Sequence, residues 1–230
     1  MLREYIKMNS IGPRLEAALS LLASIGKTDI FADIGSDHAY LASECLKREL
    51  CREAIASDIR KGPLETGKKN ASSYEKKPLF VLSDGFEALE NRNITAAAVC
   101  GMGGELIKAI IEKSETAKKI YLILQPMTKQ EALREFLWTN GFEIKKEIFV
   151  SENRKPYSVM LVRFTGKNTE FSYPDTFLGL LREKNPEFIM YTEKVLSAAE
   201  KRLRGEEISG ENTENTLSLI KECHKQITSF

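Results

Sequence analysis

Five apolar runs of strand length, Ile30–Ile34, Ala54–Ser57, Leu79–Leu82, Ala96–Cys100 and Ile120–Leu124, alternate with stretches of helical period. Those stretches are Leu41–Leu50, Leu64–Tyr74, Glu105–Lys113 and Lys129–Trp138. Such alternation builds a parallel sheet covered on both faces, since each crossover lays a helix against the strands it joins. Most of the runs are continuously apolar, as strands buried on both faces are. The pattern changes after Asn140–Gly141, a helix stop. Phe142–Val150 and Tyr157–Phe164 are joined by SENRKP, too short for a helical crossover, so this pair is expected to be antiparallel. The expected fold class is α/β, a Rossmann-like sheet whose last strand runs against the others.

Beyond the polar linker Thr165–Thr169 no strand-like run remains. Asn185–Pro186 sets an N-cap before a proline in a first helical turn. Phe188, Tyr191, Val195, Leu196 and Leu203 follow at helical spacing. GEEISGEN reads as a turn and Thr216–Ile227 as a second helix, so an antiparallel, coiled-coil-like hairpin is expected. The expected domains are a sheet domain over 1–167 and a small α-helical C-terminal domain over 168–230.

A length of 230 residues suits one full domain with a smaller appendage. The net charge of +1 excludes a globally basic nucleic-acid binder, so any such surface is a local patch. No stretch approaches the roughly 18 apolar residues of a membrane span. The N-terminus lacks the continuous apolar core of a signal peptide, so a cytoplasmic protein without membrane attachment is expected. The four cysteines form no CxxC and there are only two histidines, which argues for reduced thiols and against a metal site. A monomer is expected.

FADIGSDHAY, residues 31–40, sits where a dinucleotide-binding protein carries its glycine-rich turn, yet only Gly35 is present. Asp37, His38 and Ala39 occupy the places of the other glycines. A carboxylate at Asp37 repels a pyrophosphate and attracts a cation. At about 4 Å and an effective dielectric of about 20 that preference is of order 4 kcal/mol before solvent screening. S-adenosylmethionine has a ribose and an adenine, no phosphate, and a cationic sulfonium. The loop therefore favours this methyl donor over a dinucleotide. His38 is expected to help hold the donor rather than to act as a general base; Asp37 or Ser36 as a helix cap, with His38 merely packing, is the bland alternative.

Asp33, Asp58 and Asp84 stand at the ends of the first three expected strands, where the ligand crevice of an open α/β sheet lies. Asp58, 25 positions after Asp33 and followed by Ile59, is placed to accept hydrogen bonds from a ribose diol. Asp84, with the permissive Gly85 beside it, is placed for the exocyclic amine of an adenine. Asp33 and Gly35 would face the amino-acid end. One such aspartate is as readily a turn or cap residue; three at consecutive strand ends are harder to assign that way. Gly101, Met102 and Gly103 in AAAVCGMGGELI allow the backbone to pass close to a flat ligand, and a helix starting near Gly104 offers it free N–H groups. Gln125 and Pro126 end the next strand on the same rim.

GPRL (12–15), FADIGSDHAYLA (31–42), ASDIRKGPLETGKKN (56–70), LSDGFEAL (82–89), CGMGGELI (100–107) and LQP (124–126) together resemble the bacterial tRNA (adenine-N1)-methyltransferases of the TrmK type, which modify adenine 22 in the D-arm region of tRNA. The segments run in order across nearly all of the first 165 residues. The sequence departs from the pattern at Ala42, where a proline is expected, with an effect expected only on the first helical turn. The resemblance implies a Rossmann-like S-adenosylmethionine-dependent enzyme with a helical C-terminal domain and a tRNA substrate. A methyltransferase acting on a small molecule or protein, or a tRNA-binding module without catalysis, are the alternatives.

Adenine N1 already carries an in-plane lone pair, so such an enzyme works chiefly by alignment. Asp37, His38 and Gln125, with the carbonyls around Cys100–Met102, are the catalytic candidates near the base. The Watson–Crick edge reacts only when the base is unpaired or flipped out, so the RNA around it must be gripped. Arg14, Arg60, Lys61, Arg154, Lys155, Arg202 and Arg204 are the principal candidates for that grip. Arg3, Lys7, Lys145, Lys146 and Lys201 are further basic positions.

Overall fold

The computed structural model describes residues 11–229. The chain runs α1 (Pro13–Ala23), β1 (Thr28–Ile34), α2 (Tyr40–Lys47), β2 (Cys51–Asp58), α3 (Lys61–Ala71), β3 (Leu79–Leu82), β4 (Ala96–Gly103), α4 (Gly104–Glu112), β5 (Tyr121–Thr128), α5 (Gln130–Thr139), β6 (Phe142–Glu152), β7 (Lys155–Phe164), α6 (Tyr173–Leu178), α7 (Pro186–Ser209) and α8 (Glu214–Thr228). The seven strands form one sheet in the order β3-β2-β1-β4-β5-β7-β6. β1 to β5 pair in parallel, and β7 lies antiparallel between β5 and β6. The reversed strand is the one the short SENRKP connection requires.

Side chains alternate between two cores, as the strand period of two dictates. Phe31, Ala54, Ala96 and Ile123 meet α1 and α2 on one face. Ala32, Ile55, Val99 and Leu124 meet α4 and α5 on the other. The strand–helix alternation left out α1, which starts at Gly12–Pro13 with proline in its first turn and packs Leu19 and Leu22 under the sheet. Strands β2, β4 and β5 outrun the apolar runs because pairing needs only backbone. β4 continues to Gly103 through two register shifts, so its glycines belong to a bulged strand end, not to a free loop. Gly104 opens α4 pressed against the backbone of Thr128–Lys129, and a Cβ there would strike the Lys129 carbonyl.

In the C-terminal region Asn185 caps α7, its Oδ1 accepting the Phe188 N–H at 2.8 Å. GEEISGEN is a turn only at its end, since α7 runs through Glu206, Glu207 and Ile208 to Ser209. These are competent helix residues, and the chain stops at Gly210, left-handed with φ +73°. Short α6 escapes the periodicity; a Ser172–Asp175 capping box starts it. Leu178, Ala199, Leu219 and Cys223 form the small core of these helices. No helix among the described residues is long and apolar enough to cross a membrane.

One buried ion pair joins this region to the sheet. Arg134 of α5 is 0% exposed and donates to Glu147 Oε1 of β6 at 2.6 and 3.2 Å. Its Nη1 donates to the carbonyls of Thr176 and Phe177, both at 2.8 Å, and its Nη2, shared with Glu147, also reaches Tyr191 Oη of α7 at 3.3 Å. Phe149 of β6 packs on Phe188 and Tyr191 beside it. Removing one partner of such a pair strands the other charge in the interior. We expect Arg134→Met to lower unfolding free energy in urea by about 3–5 kcal/mol. A double change with Glu147→Met is expected to recover most of it; wild-type stability in the single variant would contradict this role.

Candidate active site

The carboxyl ends of β1 to β5 surround a cleft of about 690 Å³, within the size range of small-ligand sites. Asp33, Asp58 and Asp84 all line it, with Gly35, Asp37, His38, Ile59, Arg60, Gly85, Gly101, Met102 and Gln125. Ile110 of α4 and Met127 line it from outside the motifs, and Leu106 lines it from within CGMGGELI, where the motif does not single it out. Leu106 and Ile59 are 54% and 61% exposed, and both border the cleft. A flat apolar ring can be covered by such a pair.

The loop after β1 is fixed by backbone. Gly35 turns it at φ +73°, a conformation other residues resist. The Ser36 N–H then bonds the Ser57 carbonyl at 2.8 Å, tying β1's end to β2. The Ser83 N–H does the same to the Asp58 carbonyl at 3.0 Å. Helix α2 begins at Ala39, left-handed with φ 56°, and no side chain caps it. Neither Ser36 nor Asp37 serves as the cap considered above. Ser36 Oγ donates instead to Asp33 Oδ2 at 2.6 Å.

The three aspartates differ. Asp33 is 6% exposed; burial pushes its carboxyl up to about 6, against the pull of Ser36 and of the Ala42 N–H. A proline at position 42 has no N–H to give, so the departure at Ala42 reaches Asp33 and not only the helical turn. Asp58 Oδ1 accepts the Arg60 N–H at 2.8 Å, while Oδ2 has no hydrogen-bond donor among the described residues. Asp84 is exposed beside Gly85.

Asp37 and His38 lie 3.2 Å apart, with side chains 63% and 53% exposed. Solvent therefore screens Asp37 well below the roughly 4 kcal/mol preference argued from the sequence. Gln125 is enclosed: its Oε1 accepts from the Gly101 N–H at 3.2 Å and Arg14 Nη1 at 3.1 Å. Its amide nitrogen donates to the Pro126 carbonyl at 3.1 Å. Arg14 is not a free surface cation. It pairs with Glu152 at 2.7 Å, sits 5.0 Å from the Tyr157 ring centroid and lines the cleft. Gly103 caps α4 and does not line the cleft. Lys61, Arg154, Lys155, Arg202 and Arg204 are exposed and lie outside it. Arg3 and Lys7 lie outside the described residues. Burial and the nearby Asp33 raise Cys100, holding it as a neutral thiol at the cleft wall.

This sheet order, with aspartates and no phosphate cradle at the strand ends, defines a Rossmann-like S-adenosylmethionine-dependent methyltransferase. The unpartnered Asp58 Oδ2 and the unpaired acid Asp33 suit a ligand with a diol and positive charge. The family model described as TrmK, tRNA (adenine(22)-N(1))-methyltransferase, matches residues 31–228. The tRNA (adenine(22)-N(1))-methyltransferase of Bacillus subtilis (strain 168) is 30% identical over 170 residues, 70% of this chain and 71% of that protein. A Streptococcus pneumoniae protein solved with S-adenosyl-L-methionine superposes with TM-score 0.81 at 28% identity, covering 95% of this chain and 100% of that one. M. capricolum TrmK, solved with S-adenosyl-homocysteine, gives 0.73 at 25%, covering 95% and 97%. The chain belongs to the TrmK family of tRNA (adenine(22)-N(1))-methyltransferases, and its methyl donor is S-adenosylmethionine.

Asp33 gives a signed pH prediction. Its carboxyl is raised when folded, so its contribution to stability is present below pH 3.8 and lost as pH rises through about 6. Asp33→Asn should thus gain on the wild type by up to roughly 3 kcal/mol between pH 4 and 7. Thermal unfolding across that range checks it; a stability gap independent of pH would contradict it.

Proposed function

We propose that the cleft at the strand ends is where this chain holds S-adenosylmethionine while N1 of adenine 22 in tRNA is presented to it. The observation that carries the assignment is the buried Asp58, one oxygen of which is fixed by the Arg60 N–H and the other left without a donor. In this reading Asp58 takes the ribose hydroxyls and Ile59 and Leu106 cover the adenine, with Asp84 near its amine. Asp33 and the Gly35 turn face the amino-acid end.

The bound donor supplies an electrophilic methyl group on a sulfonium. Adenine N1 needs no base to attack it, so the residues here orient and stabilise. The exposed Asp37–His38 pair sits at the cleft mouth, where a carboxylate favours the positive charge that develops on the methylated ring. Gln125, fully engaged by Gly101, Arg14 and Pro126, acts as a positioning residue that fixes the Gly101 turn. The helical region, with Arg202 and Arg204 on α7, and Arg60 and Lys61 at the start of α3, provide basic surface for the tRNA around the extruded base. We take the 1–167 and 168–230 regions to divide the labour in this way, in a single cytoplasmic chain.

Asp58→Ala is expected to weaken S-adenosylmethionine binding by about 1–3 kcal/mol, roughly 5- to 150-fold, by calorimetry. Wild-type affinity in that variant would remove Asp58 from the site. Incubating unmodified tRNA with enzyme and donor should yield 1-methyladenosine at position 22 by nucleoside mass spectrometry. Methylation of another base or position would contradict the reading.

A further inference from the structure

The tip of the β6–β7 hairpin lies on the same edge of the sheet as the cleft, because β6 runs with the parallel strands and β7 returns from that edge. Asn153 and Arg154 both have positive φ, 51° and 60°, the two-residue turn that matches strand twist and holds the tip in one conformation. Lys155 opens β7 directly opposite Glu152 in the ladder. Glu152 would be its natural partner, but that carboxylate is held by Arg14 through the backbone N–H and two guanidinium nitrogens. Lys155 is left uncompensated.

A second lysine arrives from α7. Lys194 Nζ donates to the Pro156 carbonyl at 3.3 Å and lies 5.7 Å from the centroid of the Tyr157 ring, which Arg14 also approaches. Partial burial and the charge of Lys155 both push the Lys194 ammonium down from its usual range. Two like charges are thus held together by the fold. Among the described residues, Arg154, Lys155 and Lys194 have no acidic side chain within ion-pairing distance. An arrangement that costs free energy when empty gains most from an anion that neutralises both cations. Tyr157 and Arg14 connect it to the cleft wall at Gln125 and Met127.

We infer that Lys155 and Lys194, with Arg154 beside them, form a phosphodiester-binding clamp that seats the RNA strand next to the nucleotide entering the cleft. The inference rests on the tRNA reading above and adds the place where the backbone is held. An acidic polypeptide is the other chemistry two lysines suit. The cleft beside them receives a nucleotide, so the RNA strand reaches the clamp first.

The test compares wild type, Lys155→Gln, Lys194→Gln and the double variant in tRNA methylation over a salt series, with S-adenosylmethionine affinity measured alongside. The double variant is expected to raise KM for tRNA about tenfold at moderate salt while kcat and donor affinity stay unchanged. Its plot of log KM against log salt should flatten by about 0.7–0.9, the equivalent of one phosphate. Restoring charge with Lys155→Arg and Lys194→Arg should restore the slope. A double variant with wild-type KM and salt slope, while the wild type turns over, overturns the clamp and leaves the activity standing. A wild type that forms no 1-methyladenosine overturns the tRNA reading and the clamp with it. Polyglutamate competing with tRNA as strongly as a single-stranded oligoribonucleotide overturns the phosphate assignment in favour of an acidic protein.

Discussion

Strands that run in one direction must all end at one edge of their sheet, and the site here is a consequence of that constraint. β1, β2 and β3 deliver Asp33, Asp58 and Asp84 to the same cleft although the residues are far apart in sequence. Backbone bonds from Ser36 to Ser57 and from Ser83 to Asp58 link consecutive strand ends. The carboxylates are therefore positioned by register before any ligand arrives. Keeping Asp33 buried among few donors opposes folding and favours a ligand that supplies positive charge, so stability is exchanged for selectivity at this point.

The remainder of the chain supports that edge from behind. Arg14 draws α1, the β6–β7 hairpin and the end of β5 together through Glu152, Gln125 and Met127, and Gln125 hands the contact on to the Gly101 turn. Arg134 and Glu147 do the corresponding work on the far side, fixing α6 and α7 against α5 and β6. The Glu147 Oε2 atom is buried without a partner, and Gly179 leaves it room where a Cβ would strike it. The helical region is thereby set at a defined place relative to the cleft, which an enzyme acting on a large folded RNA needs.

The strand–helix alternation was legible because it is local: apolar period and short connections are properties of neighbours in sequence. The reversed β7 followed from a six-residue connection, and the aspartates from their place just after apolar runs. Arg14 was not legible as a structural residue, because its partners Gln125 and Glu152 stand 111 and 138 positions away. Its charge alone suggested a surface contact. Helix α1 carries a signal in Pro13 and in Leu15, Leu19 and Leu22 at helical spacing, which the strand–helix alternation left out. In GEEISGEN composition could not say which glycine ends the helix; only Gly210 takes the left-handed turn, and Gly205 continues the helix. Leu106 and Ile110 looked like ordinary helix residues until the fold set them beside Ile59 at the cleft.

That acidic strand ends select a sulfonium nucleoside is the claim on which the mechanism rests. A crystal structure of this chain with S-adenosylhomocysteine tests it most directly. The account predicts the ribose diol on Asp58, the adenine between Ile59 and Leu106, and the amino-acid end over Gly35 and Asp33. The nucleoside bound elsewhere, with Asp58 Oδ2 still without a donor from it, would contradict it.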